Sequence, residues 1–219
     1  MAELSGRRQL QRQQQARRDE EMRHWYTAGI VFVLCLASLA RGWQLSETWL
    51  WYDEVFGATF ANQSFSDLTV CCARYDIHPP GWTWQLYLWA VGGQSDVYLL
   101  LNSVAWSVAT TLLVYIVMSR YQNPRVALLA ALLFAIMPVS VAYARMLRMY
   151  SMLMFFLVLG WYANLRYLQS GSTKSWLAMV ASQLIIAYSH GTGILLNLYL
   201  GFYGLILFRS VELPRGMFR

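Results

Sequence analysis

Apolar residues fall into long blocks separated by short polar joints. The blocks cover 26–42, 97–118, 126–144, 149–165, 176–189 and 193–208. Runs of this length and purity predict membrane-spanning helices, not the half-polar stripes of a soluble bundle. The first block is slightly short for a hydrocarbon core of about 30 Å unless Trp25 and Trp43 anchor its ends at the interfaces. Between the first and second blocks lies a longer segment, 43–96, which reads as an acid pair, a polar interval and then an aromatic stretch. That stretch, 81–93, contains Trp82, Trp84, Tyr87 and Trp89, with Pro79-Pro80 before it and Gly92-Gly93 at its end. At about 1.5 Å per residue such a helix reaches only about two thirds of the way across a bilayer, so it is expected to lie on the membrane surface. The alternative makes it a further span.

Charge decides between the two. If 81–93 lies flat there are six spans, and the basic joints Arg120 and Arg125, Arg166 and Lys174, and Arg209, Arg215 and Arg219 share one side with the N-terminal tail. The tail, 1–24, holds six arginines, whereas 43–96 holds six acids and one arginine. That asymmetry puts both termini in the cytoplasm and 43–96 outside; a crossing 81–93 would swap the basic joints across the membrane. The expected fold is therefore all-α and polytopic, with about six transmembrane helices and an outer loop carrying interfacial helices. Residues 1–24 form a basic cytoplasmic tail, 25–208 the transmembrane module with its outer loop at 43–96, and 209–219 a cytoplasmic end.

Composition agrees with a membrane class: 58% of the 219 residues are hydrophobic, 16% aromatic, and the mean hydropathy is +0.37. The net charge of +6 arises from the tail and the joints, a topology pattern that excludes a nucleic-acid groove. Cys35 lies inside an apolar block, and a disulfide between the adjacent Cys71 and Cys72 would be strained, so no disulfide framework is expected. The first block follows a long charged tail and lacks a small-residue cleavage site, so it reads as a retained anchor. No Walker loop, dinucleotide glycine motif, HExxH or CxxC pattern supports a nucleotide or structural-zinc reading. Asn62-Gln63-Ser64 is a formal glycosylation sequon without meaning in a bacterium.

The polar residues left on the outer side belong to three segments: Asp53, Glu54, Asp76 and His78; Arg145, Arg148 and Tyr150; and His190. Arg145 and Arg148 break the positive-inside pattern, and charges at a membrane surface call for partners. A carboxylate facing arginines can act as general base toward a hydroxyl while the cations hold a departing phosphate, for which the planar guanidinium fork is suited. Blander roles exist for each: solvated acids, arginines that snorkel to headgroups, a helix-capping His78 and a turn-satisfying His190. A translocation path is the competing class, but there are no inverted halves or broken midplane segments, and the ionisable groups sit at span ends.

Taken together, Asp53-Glu54, His78-Pro79-Pro80, the span opening at Pro124-Arg125-Val126-Ala127, Ala144-Arg145 to Arg148-Met149-Tyr150, and Tyr188-Ser189-His190 resemble the N-terminal module of GT-C glycosyltransferases. The nearest branch is the group of dolichyl-phosphate-mannose protein mannosyltransferases and aminoarabinose transferases. The resemblance covers about 43–208 and implies an inverting glycosyltransferase of a bacterial inner membrane. It would move a sugar from a polyprenyl-phosphate donor to a glycan, lipid or protein acceptor on the outer face. In that reading Asp53 is the catalytic acid-base group with Glu54 beside it. His78, Arg145, Arg148 and Tyr150 bind the donor phosphate, and Asp76 and His190 stand by. No metal ligands are assigned, no cofactor is fixed, and a divalent metal stays open. The aminoarabinose branch carries an acid near Met149 or Tyr150 that is absent here. Relatives also continue past this length, so the chain is expected to be a fragment, a split product or an inactive copy, the alternative being a transport-type membrane protein.

Overall fold

The computed structural model of the chain describes the backbone of residues 2–210 and the side chains of residues 20–206; of the cytoplasmic end expected at 209–219, residues 211–219, with Arg215 and Arg219, lie outside them. In order, the helices are α1 (Ala2–Gly42), α2 (Tyr52–Ala61), α3 (Phe65–Tyr75), α4 (Gly81–Ala90), α5 (Asp96–Tyr121), α6 (Pro124–Ile136), α7 (Pro138–Ala144), α8 (Tyr150–Ser170), α9 (Thr173–Ser189) and α10 (Gly193–Ser210). Among the described residues there are no strands, and the protein is an all-α membrane protein. α1, α5 and α8 are long and apolar enough to cross a bilayer, and α6 and α7 are so only together, bent by 57° at their break, as a broken span or a re-entrant loop. α9 and α10 stand where the last two spans are expected. At 17 and 18 residues they are at the short limit for a hydrocarbon core of about 30 Å.

Local signals place most helix starts. Ser95 caps α5 by accepting from the Tyr98 N–H, and Asn123 caps α6 by accepting from the Val126 N–H, with Pro124 at the first helical position. The interval 55–75, expected to be polar, instead forms α2 and α3. Ser64 caps α3, and Leu68 and Cys72, four apart on one face, bury against Phe60. α4 is short, as its flanking prolines and glycines predict. Its first residue, Gly81, lies so close to α9 that a Cβ there would sit 2.5 Å from the Tyr188 carbonyl oxygen. Only glycine lets the Pro79-Pro80 corner reach the end of α9.

The expected uninterrupted span 126–144 breaks at Pro138. Proline has no N–H, so the Phe134 carbonyl loses its helical donor, and the bend takes the next donor away from Ala135. Arg41 of α1, fully buried, replaces both. Nη1 donates to the Ala135 carbonyl at 2.8 Å and the Ala37 carbonyl at 3.0 Å; Nη2 donates to the Phe134 carbonyl at 3.3 Å and Ser140 Oγ at 3.0 Å; Nε donates to Ser107 Oγ of α5 at 2.7 Å. Every donor of this buried cation ends on a neutral oxygen, and one side chain ties α1 to α5, α6 and α7.

Replacing Arg41 by Met keeps much of the volume but leaves the Ala135 carbonyl without this donor, while Ser140 Oγ still donates to the Phe134 carbonyl at 2.6 Å. Unfolding in detergent should then be easier by about 1–3 kcal/mol, the cost of one buried unpaired group. Arg41→Lys, with fewer donors and no fork, should recover only part of the loss. Unchanged unfolding of Arg41→Met would show that the break is held by other contacts.

Candidate functional site

At the bundle end where α1, α7 and α9 finish and α5, α8 and α10 begin, α2, α3 and α4 fold over the helix ends. Between them is a cavity of about 220 Å³ whose lining includes Tyr52, Asp53, Tyr75, Asp76, His78 and Arg148, with Phe56, Trp82, Thr83 and Met149 among its apolar and neutral wall. Of the eight residues expected at the site, Asp53, Asp76, His78 and Arg148 line this cavity, and His190 packs against His78.

Asp53 lies in the first turn of α2, its side chain 68% exposed, and faces Arg148, which is 15% exposed. Arg148 Nη1 is 3.8 Å from Asp53 Oδ2 and donates to the Asp53 carbonyl oxygen at 3.3 Å. A charge-assisted hydrogen bond would be about 2.7–2.9 Å, so the Asp53 carboxylate is near the cation but not clamped by it. Nothing else among the described residues hydrogen-bonds the Arg148 guanidinium. The rest of its donor fork is open for an anion.

Glu54, one residue on, is buried at 2% exposure. Its Oε2 accepts from the Trp51 N–H and its Oε1 from the Leu147 N–H, each at 2.7 Å. The first contact is one half of a capping box at the start of α2. Glu54 does not line the cavity.

Arg145 also departs from the expected grouping. As the residue that ends α7, it points at the end of α1, where its guanidinium donates to the Arg41, Trp43 and Gln44 carbonyls and to Thr48 Oγ1 at 3.0 Å. These include carbonyls that a helix end leaves unpaired. Tyr150 starts α8 and packs its ring on Tyr143 at 4.7 Å, with His190 6.0 Å away; it is adjacent to the cavity and outside its lining.

The two imidazoles pack against each other at a tilt of 31°, their centroids 4.3 Å apart. His78 Nδ1 accepts from the Gly191 N–H at 3.4 Å, and His190 Nδ1 accepts from the Thr192 N–H at 3.0 Å. A ring nitrogen that accepts carries no proton, so each neutral ring has its hydrogen on Nε2. Burial pushes the His78 pKa below its ordinary value, with Arg148 adding to the fall and Asp76 and Asp53 opposing it; burial, then His78 and Arg148, lower that of His190. The pair is therefore uncharged at neutral pH, and Arg148 is the cation of the cavity lining.

The aromatic part of the lining is not singled out by the sequence pattern. Its signal is nonetheless present: each cavity acid is preceded by a tyrosine, Tyr52-Asp53 and Tyr75-Asp76, and both rings line the cavity. Among the described residues no group of three His, Cys, Asp or Glu side chains is arranged to hold a metal ion.

A family model described as dolichyl-phosphate-mannose-protein mannosyltransferase matches residues 77–213, more than half of the 219-residue chain. The match takes in His78, Arg145, Arg148, Tyr150 and His190 and begins just after Asp53, Glu54 and Asp76. No curated protein and no solved structure matches the chain.

The two packed imidazoles set a pH dependence. Their folded pKa values lie below the unfolded value of about 6.5, so as pH falls through 6.5 the unfolded chain takes up protons that the folded one refuses. Stability should be level above pH 7 and decline below about 6.5. His78→Gln should flatten that decline in thermal unfolding followed from pH 8 to 5, and an identical slope in the variant would remove His78 from the effect.

Proposed function

The chain belongs to the dolichyl-phosphate-mannose-protein mannosyltransferase family, and from that premise we propose that it transfers a sugar from a polyprenyl-phosphate donor to an acceptor hydroxyl at the outer face of a bacterial inner membrane. Membership makes it a membrane glycosyltransferase of the GT-C type. The observation that carries the finer reading is the facing pair in the cavity: an exposed, unclamped carboxylate on Asp53 and a half-buried cation on Arg148 with donors to spare.

In this mechanism the acceptor hydroxyl gives its proton to Asp53 as its oxygen forms a bond to the sugar's anomeric carbon. The bond from that carbon to the carrier phosphate breaks on the opposite face, and its electron pair leaves with the phosphate. One displacement inverts the anomeric centre. Arg148 balances the charge that builds on the departing phosphate, an interaction stronger in the transition state than in the bound donor. His78 and His190, neutral and protonated on Nε2, supply hydrogen-bond donors beside it. Asp76 accepts from the His78 backbone N–H at 2.9 Å, which supports the turn that carries the imidazole. The acceptor is a glycan, lipid or protein, and membrane lipids bathe the span ends. A divalent cation would have to draw ligands from the bound phosphate, and no step here needs one.

The exposed aromatic groups around this end, Trp43, Trp49, Trp51 and Tyr52, suit a membrane–water interface, where a lipid-borne donor presents its headgroup. Single cysteines at Gln94 and Arg148 in a background without Cys35, Cys71 and Cys72 should react with an impermeant thiol reagent added from outside, and one at Asn123 should not. Labelling at Asn123 would reverse the orientation.

Single-turnover transfer from a polyprenyl-phosphate sugar tests the chemistry. Asp53→Asn should lower turnover about 100-fold or more while donor binding survives. Arg148→Lys keeps the charge but loses the fork, so turnover should fall by roughly 1–3 kcal/mol in activation free energy, with donor affinity less affected. Normal transfer by Asp53→Asn would make Asp53 a structural acid, and carrier movement across the membrane without a glycosidic product would favour a transporter.

A further inference from the structure

We propose that Glu54 is a positioning residue that sets the Asp53–Arg148 geometry, and that it takes no proton in the reaction. Its two carboxylate oxygens each accept from a backbone N–H at 2.7 Å: Trp51 on its own side of the site, and Leu147 on the other. Asp53 precedes Glu54 and Arg148 follows Leu147, so the Glu54–Leu147 bond spans the two backbones next to the reacting pair. The loop 145–149 has no helix to hold it at this point. Besides this bond it is held by turn hydrogen bonds such as Arg148 N–H to the Met146 carbonyl at 2.8 Å, and by the buried Leu147 and Met149. It is also held by the Ser103 hydroxyl to the Arg148 carbonyl at 3.5 Å, by Arg145 to the end of α1 and by Arg148 Nη1 to the Asp53 carbonyl at 3.3 Å.

Chemistry fixes the residue type. Both partners are N–H donors, so the group between them must offer two acceptors at the same reach, which a carboxylate does. The amide of a glutamine offers one acceptor and turns an NH2 donor against an N–H. Its burial and its absence from the cavity lining leave Glu54 no path to a substrate hydroxyl. The adjacent acids thus have opposite roles, the exposed one for substrate and the buried one for the backbone. This inference rests on the glycosyltransfer reading for its kinetic arm and stands apart from it in its structural arm.

The test compares wild type, Glu54→Gln, Asp53→Asn and the double variant as full-length protein in lipid nanodiscs with a polyprenyl-phosphate sugar. Glu54→Gln should lower kcat about 10- to 100-fold, the scale of a small misplacement of reacting groups. Donor Kd should shift by no more than about 3-fold, and the acidic limb of the pH–rate profile should keep its midpoint, because Asp53 still takes the proton. In the Asp53→Asn background the same change should cost almost nothing more. Loss of the acidic limb in Glu54→Gln, or a full multiplicative loss in the double variant, would overturn the proposal. Trp51→Pro guards against a variant that fails to fold. It deletes one donor to Glu54 at a position whose φ of −70° already suits proline, and beside Trp51→Ala, which keeps the N–H, it should show the lower kcat. Amide exchange at Leu147 reads the contact without any activity: Glu54→Ala, which removes both acceptors, should speed it about 10-fold or more, and unchanged exchange would overturn the contact itself. No transfer by wild type, together with faster Leu147 exchange in Glu54→Ala, would refute the reaction and leave the contact standing.

Discussion

A buried arginine in a helical break is what the rest of this bundle depends on. Pro138 leaves two carbonyls of α6 without their helical donors, in a region where water is scarce, and an unpaired backbone group in such a place is costly. Arg41 covers both and reaches Ser107 and Ser140 as well. Because one rigid planar group makes these bonds, α1, α5, α6 and α7 are fixed to one another at a single depth. The charge has no carboxylate partner among the described residues, and five oriented neutral oxygens stand in its place.

The 57° bend that Arg41 secures turns α7 so that its last residue, Arg145, meets the end of α1. The two helices therefore exchange arginines, each donating to carbonyls that the other's ending or break left unpaired. Glu54 does the converse job with acceptor oxygens, taking two backbone N–H groups. Three charged side chains, Arg41, Arg145 and Glu54, thus complete the hydrogen bonding of main chain. What remains in the cavity is a sparse polar set, Asp53 and Arg148 facing each other with two neutral imidazoles beside them. A site built this way has its charges aimed by scaffold, which is how fixed groups stabilise a developing charge without reorganising.

Close approach does the rest of the positioning. Gly81 brings the Pro79-Pro80 corner against Tyr188, and that contact sets His78 and His190 against each other although they are far apart in the chain. The histidines stay neutral because they are part-buried, near each other and near Arg148. On the proposed reading, a neutral donor pair next to one permanent cation is a milder environment for a lipid phosphate than three cations would be and eases departure of the product phosphate.

Much of this was legible in the chain itself. Block lengths marked the apolar helices, of which three among the described residues, or four with the bent pair, are long enough to cross where six spans are expected, and the prolines and glycines around 81–93 gave a short helix. The ordered motifs gave the family, and the span ends that carry Asp53, His78, Arg148 and His190 were already candidates for one site. The helices α2 and α3 were signalled only weakly, by a Ser64 cap and a short apolar face. What the chain could not reveal is which of its charges face the cavity. Asp53 and Glu54 are neighbours of like chemistry, and Arg145 and Arg148 lie one turn apart, yet one of each pair faces the cavity and the other bonds main chain. That division depends on which unpaired carbonyls and amides the folded helices bring within reach, through the bend at Pro138 and the end of α1. Such groups belong to the backbone, which every residue shares, so only the tertiary structure decides where a charge is needed to satisfy them.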